Sequence, residues 1–297
     1  EINALTLYAV GKDTTVENVD IYCTSDDGIE IFGGDVNIKY ANINYADDDG
    51  FDVDEGWRGS AQFVFVLQGT VNGLQIGDNS LELDGEDKSE NQAGVIDPLP
   101  FLKLYNFTVW HNTPGTAAFR LRAGNAGVVA NSIAQYIGGV ASTGTGIRID
   151  GLASGETAPS ARANFGTGLL QVRNNAVYDF ATNYSSFTDV LTMTSAGAVS
   201  GTIFGSTIPN VFYPSTLNRS NSSTMFTVAG ISHTAANGID PRPLAGASNL
   251  AYGSTQDAAY VRAPLVATAY KGAFDRDAAT LWTSGWTALN KRGVLKN

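Results

Sequence analysis

Short runs in which an apolar, a polar and an apolar residue alternate recur along this chain, each following a small or polar turn. They read Leu5-Thr6-Leu7, Ile29-Glu30-Ile31, Phe51-Asp52-Val53, Leu81-Glu82-Leu83, Phe119-Arg120-Leu121 and Ile147-Arg148-Ile149. Alternation with period two predicts half-buried strands whose apolar residues share one face. From the second run onward they start at 29, 51, 81, 119 and 147, so the spacings are 22, 30, 38 and 28. A core unit of about 22 residues with insertions of variable length fits this series, because surface loops tolerate insertion. Each unit carries a second strand, read from "TVENVDIY", "VNIKYANINY", "AQFVFVLQ", "FLKLYNFTVW", "GVVANSIAQY" and "LLQVRNNAVY".

Strands that repeat the same residue types at one spacing predict a right-handed parallel β-helix, an all-β solenoid in which each coil gives one strand to each sheet. Equivalent positions then stack about 4.8 Å apart. We expect coils over residues 1–184. Residues 185–297 are expected to form irregular later coils and an irregular C-terminal capping region of the same domain, because the register fades into Ser/Thr/Gly-rich and Pro-punctuated sequence there. "DAATLWTSGWTALNKRGVL" is expected to hold a short helix that closes the last coil, with Trp282 and Trp286 packed in that cap.

Composition agrees with a turn-rich β protein. Of 297 residues 33 are Gly, and only 16% are charged. The formal net charge of −11 argues against nucleic acid as a partner, which would require a basic surface. No apolar run is long enough to span a membrane. The one cysteine, Cys23, excludes an intrachain disulfide and is expected to be a buried, inert thiol on a strand. Asn106, Asn183, Asn218 and Asn221 stand in Asn-x-Ser/Thr sequences, which serve as glycosylation acceptors only in a secretory setting.

The most specific phrase is the near-duplication of Asp26-Asp27-Gly28-Ile29-Glu30-Ile31 as Asp48-Asp49-Gly50-Phe51-Asp52-Val53. With "DVNIKYANI", "DEGWRGSAQFVFV" and "YKGAFDRDAATLWTSGWTAL" it resembles a group of bacterial secreted or surface parallel β-helix proteins. Many of these are known only as hypothetical lipoproteins or right-handed β-helix repeat proteins. The resemblance covers roughly residues 1–180 and 260–290. It implies a right-handed parallel β-helix in the cell envelope or outside the cell, without implying an activity. It also implies further coils before Glu1. Hence the N-terminal coil edge, with Leu5 and Leu7, is expected to pair with another copy, another protein or an earlier coil.

Stacking in register puts Glu30, Asp52, Glu82, Arg120 and Arg148 in one outward column. Beside it lie Asp26, Asp27, Asp48, Asp49, Asp54, Glu55, Asp84, Glu86 and Asp87. Hard oxygen ligands at this density suit Ca²⁺, with Asp49, Asp52, Asp54 and Asp84 as candidate ligands. The plain alternative is structural. Asp27 and Asp49 then bond turn backbone, and Gly28 and Gly50 supply backbone angles that other residues resist.

Three functions stay open. One is a structural, surface-assembly or adhesive protein. Another is a Ca²⁺-dependent polysaccharide-active enzyme, a lyase sooner than a hydrolase. In pectate lyases an arginine takes the proton α to a uronate carboxylate while acidic residues hold Ca²⁺, so Arg120, Arg148, Asp52 and Glu82 are the catalytic candidates. The opposing reading pairs these acids and arginines across coils as structural ion pairs. Polygalacturonases add a histidine and a basic segment, and neither His111 nor His233 stands in such a context. The third function is a non-catalytic glycan-binding module.

Overall fold

A computed structural model describes residues 2–71, 74–85, 101–137, 144–151, 159–173, 175–178, 180, 182–184, 239–243 and 263–296, and four two-residue strand pieces between 192 and 207. The first three coils are β1 (Leu5–Tyr8) with β2 (Thr15–Tyr22), β3 (Ile29–Phe32) with β4 (Asn37–Asn44), and β5 (Phe51–Asp54) with β6 (Ser60–Leu67). A small antiparallel hairpin follows, β7 (Thr70–Val71) and β8 (Leu74–Gln75). The fourth coil is β9 (Leu81–Asp84) with β10 (Leu102–His111), and the fifth is β11 (Ala117–Arg122), β12 (Gly127–Ala130) and β13 (Ile133–Tyr136). The sixth holds β14 (Thr145–Ile149), helix α1 (Ala161–Thr167), β15 (Leu170–Arg173) and β16 (Ala176–Tyr178), and β17 (Thr182–Tyr184) comes after it.

These strands form two parallel sheets, and the chain is a right-handed parallel β-helix. One sheet runs β1-β3-β5-β9-β11-β14-β17. The other runs β15-β12-β10-β6-β4-β2, with β13 paired to β10 and β16. Register in the first sheet is the one that the alternation dictates: Ile29 pairs Phe51, Phe51 pairs Leu81, Phe119 pairs Leu81 and Phe119 pairs Ile147. Both apolar columns are buried, with Ile31, Val53, Leu83, Leu121 and Ile149 forming the second. A register slip of one residue would turn these columns outward, so burial fixes the pairing. We expect Leu83→Ala to lower the unfolding free energy by about 2 to 5 kcal/mol in denaturant titrations. A loss under about 1 kcal/mol would contradict the stacked core.

The long strands of the second sheet are each bent in the middle. Asn18, Tyr40, Phe63, Asn106 and Asn131 all have φ between 53° and 58°, and the flanking register places them in one column. Asparagine tolerates this left-handed conformation, whereas Tyr and Phe do not readily adopt it. The Tyr40 and Phe63 rings stack at 5.1 Å, a contact that this bend aligns. Each coil therefore has three walls, although alternation alone reads the second strand as continuous. A second such bend follows β2 and β4, at Cys23 and Tyr45. Cys23 consequently turns outward and is exposed, contrary to the buried thiol expected from its strand-like surroundings.

The outward face of the third wall is not solvated. Phe65, Leu67, Trp110 and Ile133 lie on it, and residues 263–296 cover them with Phe274, Leu281, Leu289 and Leu295. Polar anchors fix this segment from coil to coil. The Asn131 carbonyl accepts from Gly272 N–H, Asn106 Nδ2 donates to Thr268 and to the Tyr270 carbonyl, and Gln62 exchanges two bonds with Val266. At the far end Asp20 of β2 accepts from Ala288 N–H, at the start of the short helix α2 (Ala288–Lys291). The expected helix thus forms, but it lies on the flank of the first coil. Trp282 stacks on Phe274 at 5.2 Å, its N–H donating to the Ala273 carbonyl. Asn106 is fully buried by these bonds, which removes it as a glycosylation acceptor. Asn218, Asn221, His233, Glu86 and Asp87 lie outside the described residues, as does the Asn183 side chain.

Candidate functional site

The outer face of the first sheet carries the predicted column. Glu30 pairs with Asp52, Asp52 with Glu82, Glu82 with Arg120 and Arg120 with Arg148. Strand alternation places these side chains outward, yet Asp52 is only 8% exposed. The doubled aspartates supply the turn at one edge of this sheet, so their carboxylates fall beside the column. Oxygens from Asp49, Asp52 and Glu82 lie within 4.8 Å of one another, as do those of Asp27, Glu30 and Asp52. Two more such groups are Asp26, Asp27 and Asp48, and Asp48, Asp49 and Asp78. Of the candidate cation ligands, Asp49 and Asp52 therefore share a group, while Asp54 and Asp84 belong to none of the four. Asp78 and Glu82, not chosen as ligands from sequence, complete two of the groups, which the spacing 49, 52, 78 and 82 discloses only once a 30-residue coil is assumed.

The upper half of the column is neutralised. Arg120 bonds Glu82 at 2.7 Å and Asp150 at 3.1 Å, Arg122 bonds Glu82 at 2.9 Å and Asp84 at 3.1 Å, and Arg148 bonds Asp150 at 2.7 Å. Burial disfavours the Arg120 cation, but Glu82 and Asp150 outweigh this and raise its pKa above the ordinary arginine value. A guanidinium held so firmly in its protonated form is a poor base for β-elimination. The ion-pair alternative read from sequence is thus realised for Glu82 and the arginines, with Asp150 as an unforeseen partner.

The lower half has no comparable compensation. Two carboxylates about 5 Å apart repel by roughly 3 kcal/mol at an effective dielectric near 20. Burial is the largest cause that raises these acids: Asp49 is pushed up to about 9, with Glu82 and Asp48 adding to it, and Asp27 to about 7 despite the Asp49 N–H it accepts. Asp52 is raised well above the usual carboxylate range by burial and then by Asp54 and Asp49. Even in the neutralised half, burial raises Asp84 to about 8 against the opposing charge of Arg122. At neutral pH such a cluster must hold protons or a cation.

The aspartates of the duplicated turns have separate tasks. Asp27 Oδ1 accepts from Asp49 N–H at 2.9 Å, just as Asn3 Oδ1 accepts from Asp27 N–H and Asn79 Oδ1 from Ala117 N–H. This ladder ties one coil's turn to the next. Asp49 breaks it, for its Oδ1 is buried without a hydrogen-bond partner in a residue only 5% exposed. Gly28 and Gly50 also serve differently from expectation. Neither has a positive φ; instead a Cβ on Gly50 would sit 2.7 Å from the Ser80 carbonyl, and one on Gly28 would strike Ile43 and the Gly50 carbonyl. They are needed so that turns of successive coils can stack closely.

Comparison with known proteins adds one match. The profile of a family described as pectate-lyase-like β-helix domain matches residues 1–208. No curated protein and no solved structure matches the chain. No described helix is long and apolar enough to cross a membrane.

Proposed function

The chain belongs to the pectate-lyase-like β-helix domain family, and from that membership we propose that it is an extracellular or envelope surface protein that binds Ca²⁺ in its acidic column and thereby docks acidic polysaccharide without cleaving it. The family description favours polysaccharide as the ligand class, and domains of this kind are typically extracellular. Bacterial origin belongs to the same reading.

The observation that carries it is the buried, unpartnered Oδ1 of Asp49 among Asp52 and Glu82. A buried polar atom without a partner is costly, and a hard divalent cation supplies what the carboxylates lack. The donor set is all oxygen, which fits Ca²⁺. Asp49, Asp52 and Glu82 would hold the ion, and Asp54 and Asp84 flank them on the adjacent outward column. When bound, the ion offers open coordination positions to carboxylate groups of a polysaccharide. The arginines take no catalytic part in this reading, because Glu82, Asp84 and Asp150 already bind them.

The test begins with the chelated protein. Millimolar calcium should raise its melting temperature, since a ligand that binds only the native state stabilises it by mass action. Asp49→Asn and Asp52→Asn should each abolish the rise. Polygalacturonate or alginate should co-sediment with the protein in calcium and not in chelator, with no growth of absorbance at 235 nm. An unchanged melting temperature would remove the cation site. Unsaturated product absorbing at 235 nm would replace docking with lyase chemistry.

A further inference from the structure

We propose that a buried polar network of Gln68, Ser80, His111 and Thr116 is the positioning device of this cation site, holding the turn Asp78-Asn79-Ser80 in place against Asp48-Asp49-Gly50. The inference rests on the cation-binding reading above.

The network lies behind the turn, facing away from the acidic column. Ser80 Oγ is 2.8 Å from His111 Nδ1 and 3.1 Å from Gln68 Oε1, and all three residues are fully buried. His111 Nε2 lies 3.0 Å from Thr116 Oγ1 and 3.0 Å from the Thr113 carbonyl. Two members then grip the turn's backbone. Gln68 Nε2 donates to the Asn79 carbonyl at 3.0 Å, and Thr116 Oγ1 donates to the Asp78 carbonyl at 2.9 Å. The turn in turn meets the acidic coil below, with Asp78 N–H donating to the Asp48 carbonyl at 3.1 Å and Phe51 N–H to the Ser80 carbonyl at 3.0 Å. Asn79 Nδ2 reaches forward to Glu82 Oε1 at 3.1 Å. A chain of hydrogen bonds thus runs from His111 to the backbone of Asp78 and to the Glu82 carboxylate.

Its level in the solenoid is informative. Register places Gly50 one coil below Ser80 and Ala118 one coil above it. Small residues suffice there. At Ser80 a hydroxyl is buried instead, beside the turn where Asp49 leaves an oxygen unpaired and where Asp78 and Glu82 lie near it. Burying an imidazole, an amide and a hydroxyl is costly unless each is bonded, and a satisfied network fixes one geometry. Groups that orient metal ligands from behind act in this way, and their loss commonly weakens binding about 10- to 100-fold.

The experiment is a Tb³⁺ titration of the metal-free full chain, with luminescence lifetimes in H₂O and D₂O to count waters on the bound ion. Ser80→Ala and Thr116→Val should weaken Tb³⁺ binding about tenfold or more and add water to its inner sphere. Thr116→Ser retains the hydroxyl and should bind as the wild type does. Val129→Ala, a core change away from the site, controls for lost stability and should leave the water count unchanged. Thr116 is half-buried, so its two variants keep the comparison alive if Ser80→Ala does not fold. Variants that bind like the wild type, or lose affinity only as Val129→Ala does, would overturn the positioning role while leaving the cation site intact. A wild-type chain that binds neither Tb³⁺ nor Ca²⁺ would overturn both.

Discussion

In chelator the protein melts at a lower temperature at pH 8 than at pH 6.5, and millimolar calcium removes the difference. Asp49 has a folded-state pKa near 9 and Asp84 one near 8, far above their unfolded values. A carboxyl whose pKa is raised by folding keeps its proton in the native state when the unfolded chain has lost it. Its contribution to stability is therefore present below the unfolded pKa and declines as pH rises towards the folded one. For Asp49 alone the loss between pH 6.5 and pH 8 is about 2 kcal/mol, at about 1.4 kcal/mol per unit. Asp84 and Asp52 add to it. For a chain of this size the sum corresponds to a fall of about 5 to 10 °C.

His111 acts in the opposite direction and in another window. Burial lowers its pKa to about 3, so the folded state holds it neutral, and stability is lost as pH falls below the ordinary histidine value near 6.5. Above pH 6.5 it is silent; there Lys271, whose pKa burial lowers to about 6, offsets one of the carboxyls, and the remaining ones set the slope. Calcium removes the slope because the bound ion takes the place of the protons. A melting temperature constant from pH 6.5 to pH 8 in chelator would mean that the acids ionise freely, and the strained acidic column would have to be abandoned.

Phe274→Ala is expected to lower the unfolding free energy by about 3 to 5 kcal/mol, although residue 274 belongs to no coil. Its ring stacks on Trp282 at 5.2 Å and meets the edge of Phe65 at 5.4 Å, and Phe65 in turn meets Trp110 at 5.3 Å. Truncation would open a cavity between the C-terminal segment and the third wall, leaving a large apolar surface of β6 and β10 poorly covered. Guanidinium denaturation gives the number, and increased binding of a hydrophobic dye would report the loosened flank. A cost below about 1 kcal/mol would show that the segment merely rests on the solenoid.

The coil register of the first sheet was legible because one face is buried and the period is two: Ile29, Phe51, Leu81, Phe119 and Ile147 have only one way to turn inward together. The outward column from Glu30 to Arg148 followed from the same constraint. The second sheet was read less well. The bends at Asn18, Tyr40 and Phe63 are set by stacking between coils, and a tyrosine or phenylalanine with positive φ carries no local signal. One clue was present in Phe63-Val64-Phe65-Val66-Leu67, a run without alternation, which indicates a strand covered on both faces. It did not say what covers it.

The solenoid, its inward columns and the gathering of acids and arginines on one face follow from periodicities along the chain. The stacking of coils in space decided how those charges divide. Arg120 and Arg122 settle on Glu82, Asp84 and Asp150, while Asp49 and Asp52 remain among acids. It also decided that Asp27 ties one turn to the next whereas Asp49, the same residue one coil later, holds a buried oxygen without a partner. The reason is physical: ion pairs and buried hydrogen bonds depend on ångström separations across stacked coils, and insertions of different length place identical phrases before different neighbours.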